Sequence, residues 1–519
     1  MSTIEAQPEH QGNGVAQAGG SSIPVENPAT GQTIATVPDM DVAQVKALVD
    51  RGRAAFPAWN GLGFDGRAEV FYELRRWLIQ NRDRVIGTIV EENGKPPDEA
   101  MLTEVVYLAD SLGFWAKNAP KYLGDQRVKT HSPLLLGKKV IVRYRPYGVV
   151  GVIGPWNYPL TNNFGDALPA LAAGNSVILK PSEITPLTSL LMEEGFRAAG
   201  GTPDAFLVAT GRGETGAALV DNADMIMFTG STTTGKKILA QAAETLTPVS
   251  LELGGKDPMI VLKDADLERA ANMAVQWSMS NSGQICQAVE RVYVEEPVYD
   301  EFVSKVVDKT KALRQGAPGA AGSVDVGAMT FPPQLDRVEA HVKDALAKGA
   351  RVLTGGKRAD GPGRFYEPTV LVDVDHTMDC MTEETFGPTL PIMKVRDEDE
   401  AVRMANDSRY GLNSSVFTRD VEKGERVARQ VEAGSTCVND ALMNYLAQEA
   451  PFAGMKGSGM GARHSAMGIS KFAQPQTILV TRFSPSKDPT MYPNTAKKAK
   501  MMEKAVVLMY GRKRKRKKG

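Results

Sequence analysis

The chain has little cysteine: only Cys286, Cys380 and Cys437 occur among 519 residues. No two of them have the spacing of a disulfide framework or of a metal-ligand cluster, so we predict neither kind of site. The sequence also has no run of about 18 apolar residues, which excludes an ordinary membrane-spanning helix. A soluble globular protein of the cytoplasm is the class that these absences favour.

A net charge is lacking as well, because Lys+Arg and Asp+Glu both number 61. No bulk electrostatic argument for a nucleic-acid partner therefore applies, and none is expected. The charge is uneven, however, since residues 484–519 carry twelve Lys or Arg and two Asp or Glu. Residues 1–22 are polar and have no apolar segment, so they are neither a signal peptide nor an anchor.

Between residues 148 and 254, short apolar runs alternate with segments of helical pattern. Continuous apolar strands in this alternation predict a parallel sheet covered on both faces. The runs are Gly148 to Ile153, Ser176 to Leu179, Ala205 to Val208, Met225 to Phe228 and Val249 to Leu253. The alternation resumes after Gly255 and continues to about Cys437, which predicts a second α/β unit. We also predict helices from Val42 to about Lys121.

Two outlying segments have the pattern of exposed strands. Lys139 to Tyr144 alternates between apolar and polar residues, and Thr477 to Thr481 is a late apolar strand candidate. We expect the two to pair in a small antiparallel sheet that packs on a partner subunit. The predicted fold class is α/β, with two doubly wound domains and this small oligomerisation sheet.

Cys286 stands apart from the other two cysteines because of its surroundings. A helical run ends near Met279, small residues follow, and a strand begins at Val289. Cys286 is therefore predicted to lie in a junction loop where a ligand can approach the backbone. Cys380 and Cys437 are interpreted as buried and inert.

Two strand ends carry groups suited to acyl chemistry. Asn157 follows the first strand, where its amide can donate to an oxyanion, although a turn asparagine bonded to local backbone is the alternative. Glu252 lies within the apolar fifth strand, and burial raises a carboxyl pKa towards the range of a general base. A buried glutamate bonded to backbone is the alternative there.

Other strand ends suit a dinucleotide. Lys180 and Glu183 fit ribose hydroxyls, which favours NAD over NADP, although a solvated pair that caps the next helix is the alternative. Ser231 begins a helix whose free N–H groups suit a pyrophosphate. Gly211 to Gly216 matches G-x-G-x-x-G without the usual acidic residue, so a plain turn and a cofactor contact are equally open.

Seven motifs follow one another along the chain: Gly154 to Asn157, Lys180 to Glu183, Phe228 to Ser231 with Gly235, Leu251 to Lys256, Asn281 to Cys286, Glu383 to Pro388 and Pro451 to Lys456. In this order they resemble the signatures of the NAD(P)-dependent aldehyde dehydrogenase superfamily over residues 23–483, with features nearer its fatty or aromatic and semialdehyde branches.

The resemblance implies a role for each matching residue. Cys286 is the nucleophile, Asn157 forms the oxyanion hole with the Cys286 N–H, and Glu252 is the general base. The cofactor, NAD with NADP as the alternative, is bound by a further set of residues. They are Trp156, Lys180, Glu183, Gly213, Gly230, Ser231, Glu384 and Phe386.

The implied reaction oxidises an aldehyde to a carboxylic acid through a thiohemiacetal and a thioester, which a Glu252-activated water hydrolyses. Relatives that transfer the acyl group to coenzyme A tend to lack this glutamate, so its presence favours hydrolysis, and acyl transfer to coenzyme A is one alternative. A non-catalytic binding homologue is the other. A homodimer or homotetramer is expected.

With the family's architecture, the chain divides into a leader, two α/β domains, two bridging segments and a tail. The ranges are 1–22 for the disordered leader, 23–123 and 148–254 for the dinucleotide-binding domain, 255–465 for the catalytic domain, 124–147 and 466–484 for the oligomerisation segments, and 485–519 for the basic tail.

Two features depart from the family pattern. Where many members place a further carboxylate, this chain has Arg463 and His464, so support for Glu252 from such a group is in doubt. We interpret His464 as a partly exposed structural histidine. The tail from Lys497 onwards is either solvated and disordered, which we favour, or bound at an anionic membrane surface.

Overall fold

The computed structural model describes residues 21–483, 486–487 and 491–511, so the predicted leader up to residue 20 and the basic run 512–518 lie outside the described residues. The described chain begins with an antiparallel hairpin of β1 (Ser22–Glu26) and β2 (Thr33–Pro38). Its turn is closed by the Gly31 N–H, which donates to the Asn27 carbonyl at 2.7 Å. Gly31 has a φ of 73°, which glycine adopts without steric cost.

A helical layer follows over the predicted region. Asp41 begins it through a capping box with Gln44. The helices are α1 (Val42–Gly61), α2 (Gly63–Gln80), α3 (Arg82–Asn93), α4 (Pro97–Ala100) and α5 (Tyr107–Leu123), with a π-helical turn at Met101–Val106 between the last two.

Two strands, β3 (Gln126–Val128) and β4 (Lys138–Pro146), lead into the first α/β unit. Its elements alternate as β5 (Val149–Ile153), α6 (Phe164–Ala172), β6 (Ser176–Lys180), α7 (Leu187–Ala198), β7 (Phe206–Val208), α8 (Gly213–Asn222), β8 (Met225–Thr229), α9 (Thr232–Ala243) and β9 (Val249–Glu252).

The five strands of this unit are parallel, in the order β9-β8-β5-β6-β7. Each apolar run identified in the sequence is one of them. Every residue of β5, β6 and β8 is buried, since apolar side chains of α2, α5 and α6 pack on one face and those of α1, α8 and α9 on the other.

The second α/β unit begins directly after β9. Its elements are β10 (Asp257–Val261), α10 (Leu267–Met279), β11 (Val289–Glu295), α11 (Tyr299–Lys311), α12 (Pro332–Ala347), β12 (Arg351–Thr354), β13 (Thr369–Val372), α13 (Asp379–Thr382), β14 (Thr389–Val395), α14 (Glu398–Asn406), β15 (Tyr410–Gly411), β16 (Ser415–Phe417), α15 (Val421–Ala428) and β17 (Cys437–Val438). Its seven-stranded sheet has the order β12-β13-β14-β11-β10-β16-β17, and β12 alone is antiparallel to its neighbour.

The C-terminal elements return to earlier parts of the fold. They are β18 (Met455–Lys456), β19 (Gly459–Met460), α16 (Ser465–Ser470), β20 (Ala473–Thr481) and α17 (Ala496–Tyr510). The strand β18 pairs with β15, whereas β19 pairs antiparallel with β9 and places Gly459 opposite Glu252. The strand β20 pairs with β4, Leu479 opposite Val140, which confirms the predicted pairing.

The α/β fold class with two parallel sheets and a small antiparallel sheet is confirmed. The domain bounds stay a prediction, and β19 adds to the first sheet although it lies in the range predicted for the catalytic domain. None of the described helices combines the length and the apolar character needed to cross a bilayer.

Candidate active site

Cys286 lies in the loop between α10 and β11, as predicted. The loop is held tightly, because a Cβ on Gly283 would lie 2.1 Å from the Gly387 carbonyl oxygen, and Gly283 itself has a φ of 72°. Asn281 and Ser282 before it also have left-handed φ angles, of 49° and 54°. The half-buried thiol lines a cavity of about 720 Å³.

Every residue predicted to act in the site faces this cavity, which crosses the carboxyl ends of the first sheet, where parallel sheets bind ligands. The set is Trp156, Asn157, Lys180, Glu183, Gly213, Gly230, Ser231, Glu252, Cys286, Glu384 and Phe386. The fold thus brings together residues that are far apart in the chain. The role of each stays a prediction.

Asn157 is buried and does not serve a local turn. One N–H of its side-chain amide donates to the Gln284 carbonyl at 2.8 Å, across to the loop that carries Cys286. The Asn157 carbonyl in turn accepts from the Asn281 side chain at 2.9 Å. An amide nitrogen has two N–H bonds, so this arrangement leaves a second donor on a residue that lines the same cavity as Cys286.

Glu252 ends β9 and is 2% exposed. Neither of its carboxyl oxygens has a hydrogen-bond partner among the described residues, so the alternative of a glutamate bonded to backbone is wrong. Burial raises the pKa of Glu252 to about 7, while the charges of Arg463 and Lys471 act in the opposite direction. A carboxyl group with such a pKa, facing the cavity without a partner, suits a general base.

Arg463 occupies the region where the resemblance would place a carboxylate. Its guanidinium donates to both oxygens of Asp166, each at 2.7 Å, and to the Thr229 hydroxyl at 2.5 Å. The Thr229 hydroxyl also donates to Asp166 at 2.9 Å. The sequence analysis missed Asp166 and Thr229, although a charged residue inside the apolar run of α6 was a signal for the first.

Lys471 supplies a second cation behind Glu252. Its ammonium group donates to the Ser250 hydroxyl at 3.1 Å and contacts the Met227 sulfur at 3.2 Å. Ser250 lies two residues before Glu252 on β9, so both side chains project from the same face of the strand. Burial lowers the pKa of Lys471 to about 8, and Glu252 opposes that change. Nothing in the residues around this lysine singles it out in the sequence.

The prediction that His464 is partly exposed is wrong, because it is 4% exposed. Its Nε2 shares a hydrogen bond of 2.8 Å with the Tyr107 hydroxyl, and its ring lies 5.0 Å from that of Tyr445. Burial lowers the pKa of His464 to about 3, and Arg463 lowers it further, so the imidazole is neutral near pH 7.

The thiol itself is a weak acid in this structure. Burial, helped by the carboxyl groups of Asp257, Glu384 and Glu252 and opposed by the charge of Arg463, raises the pKa of Cys286 to about 12. The thiolate is the nucleophilic form, so attack requires a base or another charge to favour deprotonation.

The far end of the cavity suits a ribose. Lys180, at the end of β6, is 5% exposed, and its ammonium group lies 3.5 Å from the carboxylate of Glu183. The alternative role as a helix cap is wrong for this pair, because Glu92 accepts from the first N–H groups of α7, those of Leu187 and Thr188.

Two helix N-termini border the middle of the cavity. The Ser231 hydroxyl caps α9 and accepts from the Thr234 N–H at 3.3 Å. Gly213 begins α8, and a Cβ at this position would have no atom within 4 Å, so ligand atoms can approach its backbone. Gly211, in contrast, serves the turn, with a φ of 155°. Free N–H groups at such termini bind phosphates.

The near end of the cavity has an aromatic wall and a carboxyl group. The rings of Trp156 and Phe386 meet edge to face with centroids 5.4 Å apart. Glu384 accepts from the Gly255 N–H at 3.0 Å, and burial together with Glu290 raises its pKa to about 8. A nicotinamide ring flanked by the Phe386 ring, with its ribose beside Glu384, would lie next to Cys286. The lining therefore fits a nicotinamide dinucleotide.

The remaining cysteines conform to their interpretation, since Cys380 and Cys437 are free and buried. Among the described residues no group of three or more His, Cys, Asp or Glu side chains could hold a metal ion.

Known proteins that are similar to this chain indicate the same kind of site. The family model described as the aldehyde dehydrogenase family matches residues 15–478. A Mycolicibacterium smegmatis protein named succinate-semialdehyde dehydrogenase (NADP(+)) is 40% identical over 464 residues, which is 89% of each chain. A Methylomonas protein named 4,4'-diapolycopene aldehyde oxidase is 39% identical, over 92% of this chain and 89% of its own.

Solved structures agree. An aldehyde dehydrogenase structure from Anabaena variabilis superposes with a TM-score of 0.86 at 34% identity, over 91% of this chain and 100% of that one. The NAD⁺ complex of an aldehyde dehydrogenase from Bacillus cereus gives a TM-score of 0.85 at 33% identity, over 89% and 94% of the two chains.

Proposed function

Since the chain belongs to the aldehyde dehydrogenase family and is an NAD(P)-dependent enzyme that oxidises aldehydes, we propose that Cys286, Asn157 and Glu252 carry out the reaction. The product is the free carboxylic acid. The observation that supports this most is that all three side chains line one cavity, where Glu252 has no hydrogen-bond partner among the described residues.

The first step forms the covalent intermediate. The thiol of Cys286 passes its proton to solvent water, its sulfur attacks the aldehyde carbon as a thiolate, and the carbonyl oxygen becomes an oxyanion held by the free N–H of Asn157 and the backbone N–H of Cys286. The loss of one such donor typically costs about 10²–10³ in rate. A bound nicotinamide, held beside Phe386 and Glu384, would supply the hydride acceptor for this tetrahedral carbon, and Cys286 would then carry a thioester.

The second step releases the product. Glu252 removes a proton from a water molecule, and the resulting hydroxide attacks the thioester carbon. The carbon–sulfur bond breaks, and the leaving sulfur of Cys286 takes the proton that Glu252 holds, which restores both groups. Because Glu252 is buried with a pKa of about 7, it is partly ionised at neutral pH and can both accept and release this proton.

The cofactor residues are assigned by position. Lys180 and Glu183 bind the adenine ribose, Ser231 binds the pyrophosphate beside Gly213 and Gly230, Glu384 binds the nicotinamide ribose, and Phe386 and Trp156 flank the ring. The carboxylate of Glu183 repels a 2′-phosphate, which supports NAD as the preferred cofactor.

The test is formation of NADH or NADPH from aldehydes without coenzyme A. The wild type should release carboxylic acid, and Cys286→Ala should lose activity by at least about 10³-fold. Cys437→Ala, at a buried free thiol, is the matched control and should retain activity. Absence of product from every aldehyde, or product only with coenzyme A, would contradict the proposal.

The assembly and the location are further parts of the proposal. The strands β3, β4 and β20 lie within the predicted oligomerisation segments 124–147 and 466–484. Through these strands the chain forms a homodimer or homotetramer, which resides in the cytoplasm. Leu479 and Val480 of β20 are 48% and 40% exposed, which supports a partner surface there.

For the tail we propose contact with an anionic membrane surface. No side chain of α17 is buried, and Val507 and Leu508 are 63% and 70% exposed beside lysines such as Lys500 and Lys504. Apolar side chains next to basic ones suit an anionic bilayer, each basic residue adding about 1 kcal/mol.

Sedimentation with phosphatidylserine vesicles tests this contact. The full chain should sediment at low salt and be released at high salt, whereas a chain ending at residue 496 should stay in solution and keep its aldehyde activity. Equal behaviour of the two chains would overturn the proposed contact.

A further inference from the structure

A buried ion pair lies next to the segment that lines the near end of the cavity. The ammonium group of Lys256 donates to the carboxylate of Glu290 at 2.6 Å, and the two side chains are 0% and 5% exposed. Neither residue is among those that line the cavity of about 720 Å³. Because desolvation offsets the attraction within a buried pair, stability alone is weak grounds for one, and its other partners indicate what it does.

The pair holds residues 383–388, the segment between α13 and β14. One oxygen of Glu290 accepts from the Thr385 N–H and the other from the Phe386 N–H, both at 2.8 Å. Lys256 donates to the Thr385 hydroxyl at 3.1 Å. The two charged groups therefore bind three polar groups of two consecutive residues.

Thr385 is fixed from a second direction as well. Its carbonyl accepts from the Gln334 side chain at 2.5 Å, and its hydroxyl shares a hydrogen bond of 3.1 Å with Nδ1 of His341. Gln334 and His341 both belong to α12. Each hydrogen-bonding group of Thr385, which is 1% exposed, thus has a buried partner. The backbone is therefore fixed directly before Phe386.

Phe386 follows in a conformation that a bulky residue rarely adopts. Its φ of 54° lies in the left-handed region, where a residue with a Cβ is strained. Such conformations persist only where surrounding groups hold them, and they occur at functional sites. Here the N–H of Phe386 donates to Glu290, while its side chain lines the cavity. Glu384 is held nearby, because Gly255, directly before Lys256, donates to its carboxylate at 3.0 Å.

We infer that Glu290 and Lys256 are positioning residues for hydride transfer, which act by holding the backbone of Phe386. Neither lines the cavity, so neither touches the reacting atoms. This inference rests on the proposed function, in which Phe386 and Glu384 face the nicotinamide end of the cofactor. Glu290 lies on β11, four residues after Cys286, so the strand that follows the nucleophile also supports Phe386.

Hydrogen exchange of the protein without cofactor tests the hold on this segment. In Glu290→Gln one side-chain oxygen is left for two N–H groups. The amides of Thr385 and Phe386 should therefore exchange about 10-fold faster or more, the order of one hydrogen bond to a charged group. Mass spectrometry of peptides that cover residues 383–388 measures this exchange. Exchange at the wild-type rate in the folded variant would overturn the inference.

The matched control is Glu92→Gln, at another buried carboxylate that accepts from two successive N–H groups, those of Leu187 and Thr188. This glutamate holds the start of α7 instead. Exchange in residues 383–388 and the rate of NADH formation should both stay at the wild-type level. Equal effects in the two variants would indicate a general loosening of the fold and would overturn the positioning role.

Pre-steady-state kinetics distinguish positioning from binding. In Glu290→Gln the burst of NADH should slow by about 10- to 100-fold, the cost of a misplacement of about 1 Å. The Kd for NAD should stay near its wild-type value, because Lys180 and Glu183 bind the other end of the cofactor. With an aldehyde deuterated at its carbonyl carbon, the isotope effect on kcat should rise as hydride transfer becomes rate-limiting.

A burst at the wild-type rate, or a slow burst that more NAD restores, would overturn the inference. Absence of NADH from the wild type with every aldehyde would instead contradict the proposed function.

A double variant covers the case in which Glu290→Gln does not fold because Lys256 is left with an unpaired buried charge. Lys256→Met/Glu290→Gln removes both charges and keeps side chains of similar length, so it should fold. It still lacks the second acceptor, and its exchange in residues 383–388 and its burst should change as in Glu290→Gln. A folded double variant with the wild-type burst would overturn the inference.

Discussion

At the scale of the residue, the two carboxyl oxygens of Glu252 have no hydrogen-bond partner among the described residues. A substitution of Glu252 should therefore slow thioester hydrolysis without slowing hydride transfer. Glu252→Gln removes the base for hydrolysis and leaves the nucleophile in place. We expect the steady-state rate to fall by about 10²-fold or more, while a burst of NADH equal to the enzyme concentration remains. Stopped-flow absorbance measures both, and loss of the burst would show that Glu252 acts before hydride transfer.

The same carboxyl group gives a pH dependence. With a pKa of about 7, Glu252 is protonated as the pH falls through neutrality and can no longer accept a proton from water. The steady-state rate should therefore decline below about pH 7, and that acid limb should be absent from Glu252→Gln. If the acid limb lies at the same pH in both proteins, a group other than Glu252 causes it.

Lys471 tunes this pKa through its charge. The cation favours the ionised form of Glu252, so Lys471→Met should raise the Glu252 pKa and move the acid limb to higher pH. Ser250→Ala removes a hydrogen bond of Lys471 but keeps the charge, and its limb should not move. A profile of kcat against pH distinguishes the two variants, and an unmoved limb in Lys471→Met would contradict this role.

Local context made Cys286, Asn157 and Glu252 candidates, as a thiol in a junction loop, a polar group after a strand and a carboxylate in an apolar strand. The resemblance to the family then gave each its predicted role. Sequence reasoning did not reach Lys471, whose importance depends on β9, more than 200 residues earlier. It also predicted that His464 is partly exposed, because nothing local reveals that Tyr107 will bond to its ring.

At the scale of the element, α6 is fixed to the C-terminal segment by the pair of Asp166 and Arg463, whose side chains are 6% and 5% exposed. Asp166→Asn leaves the guanidinium buried without its counter-charge. We expect a loss of about 3–5 kcal/mol in the free energy of unfolding, measured by urea titration.

The matched control is Asp204→Asn, which breaks an ion pair with Arg51 whose side chains are 37% and 53% exposed. Such a surface pair contributes about 0–1 kcal/mol. Equal losses in the two variants would mean that the Asp166 pair contributes no more than a surface contact.

The strands and most helices followed from local periodicity, since the runs that became β5 to β9 are apolar and bounded by turns. The two-residue strands β18 and β19 have no such pattern, because backbone pairing with distant partners alone defines them. The π-helical turn at Met101–Val106 could not be predicted from the sequence either, because its residues fit an ordinary α-helix.

At the scale of the whole molecule, the small sheet of β3, β4 and β20 is expected to carry the assembly. Leu479→Lys places a charge on its exposed surface and should reduce the mass in solution to that of a smaller oligomer or a monomer. Leu346→Lys, at a residue of α12 that is 46% exposed, is the control and should keep the native mass. Light scattering after size-exclusion chromatography measures both, and an unchanged mass for Leu479→Lys would move the interface elsewhere.

The pairing of β19 with β9 affects how the enzyme is made. The strand that ends in Glu252 is synthesised about 200 residues before the strand that covers its edge. During translation the first sheet can therefore assemble while that edge still offers free backbone groups to other nascent chains. A product truncated before β19 would therefore keep this edge of the first sheet open to other chains.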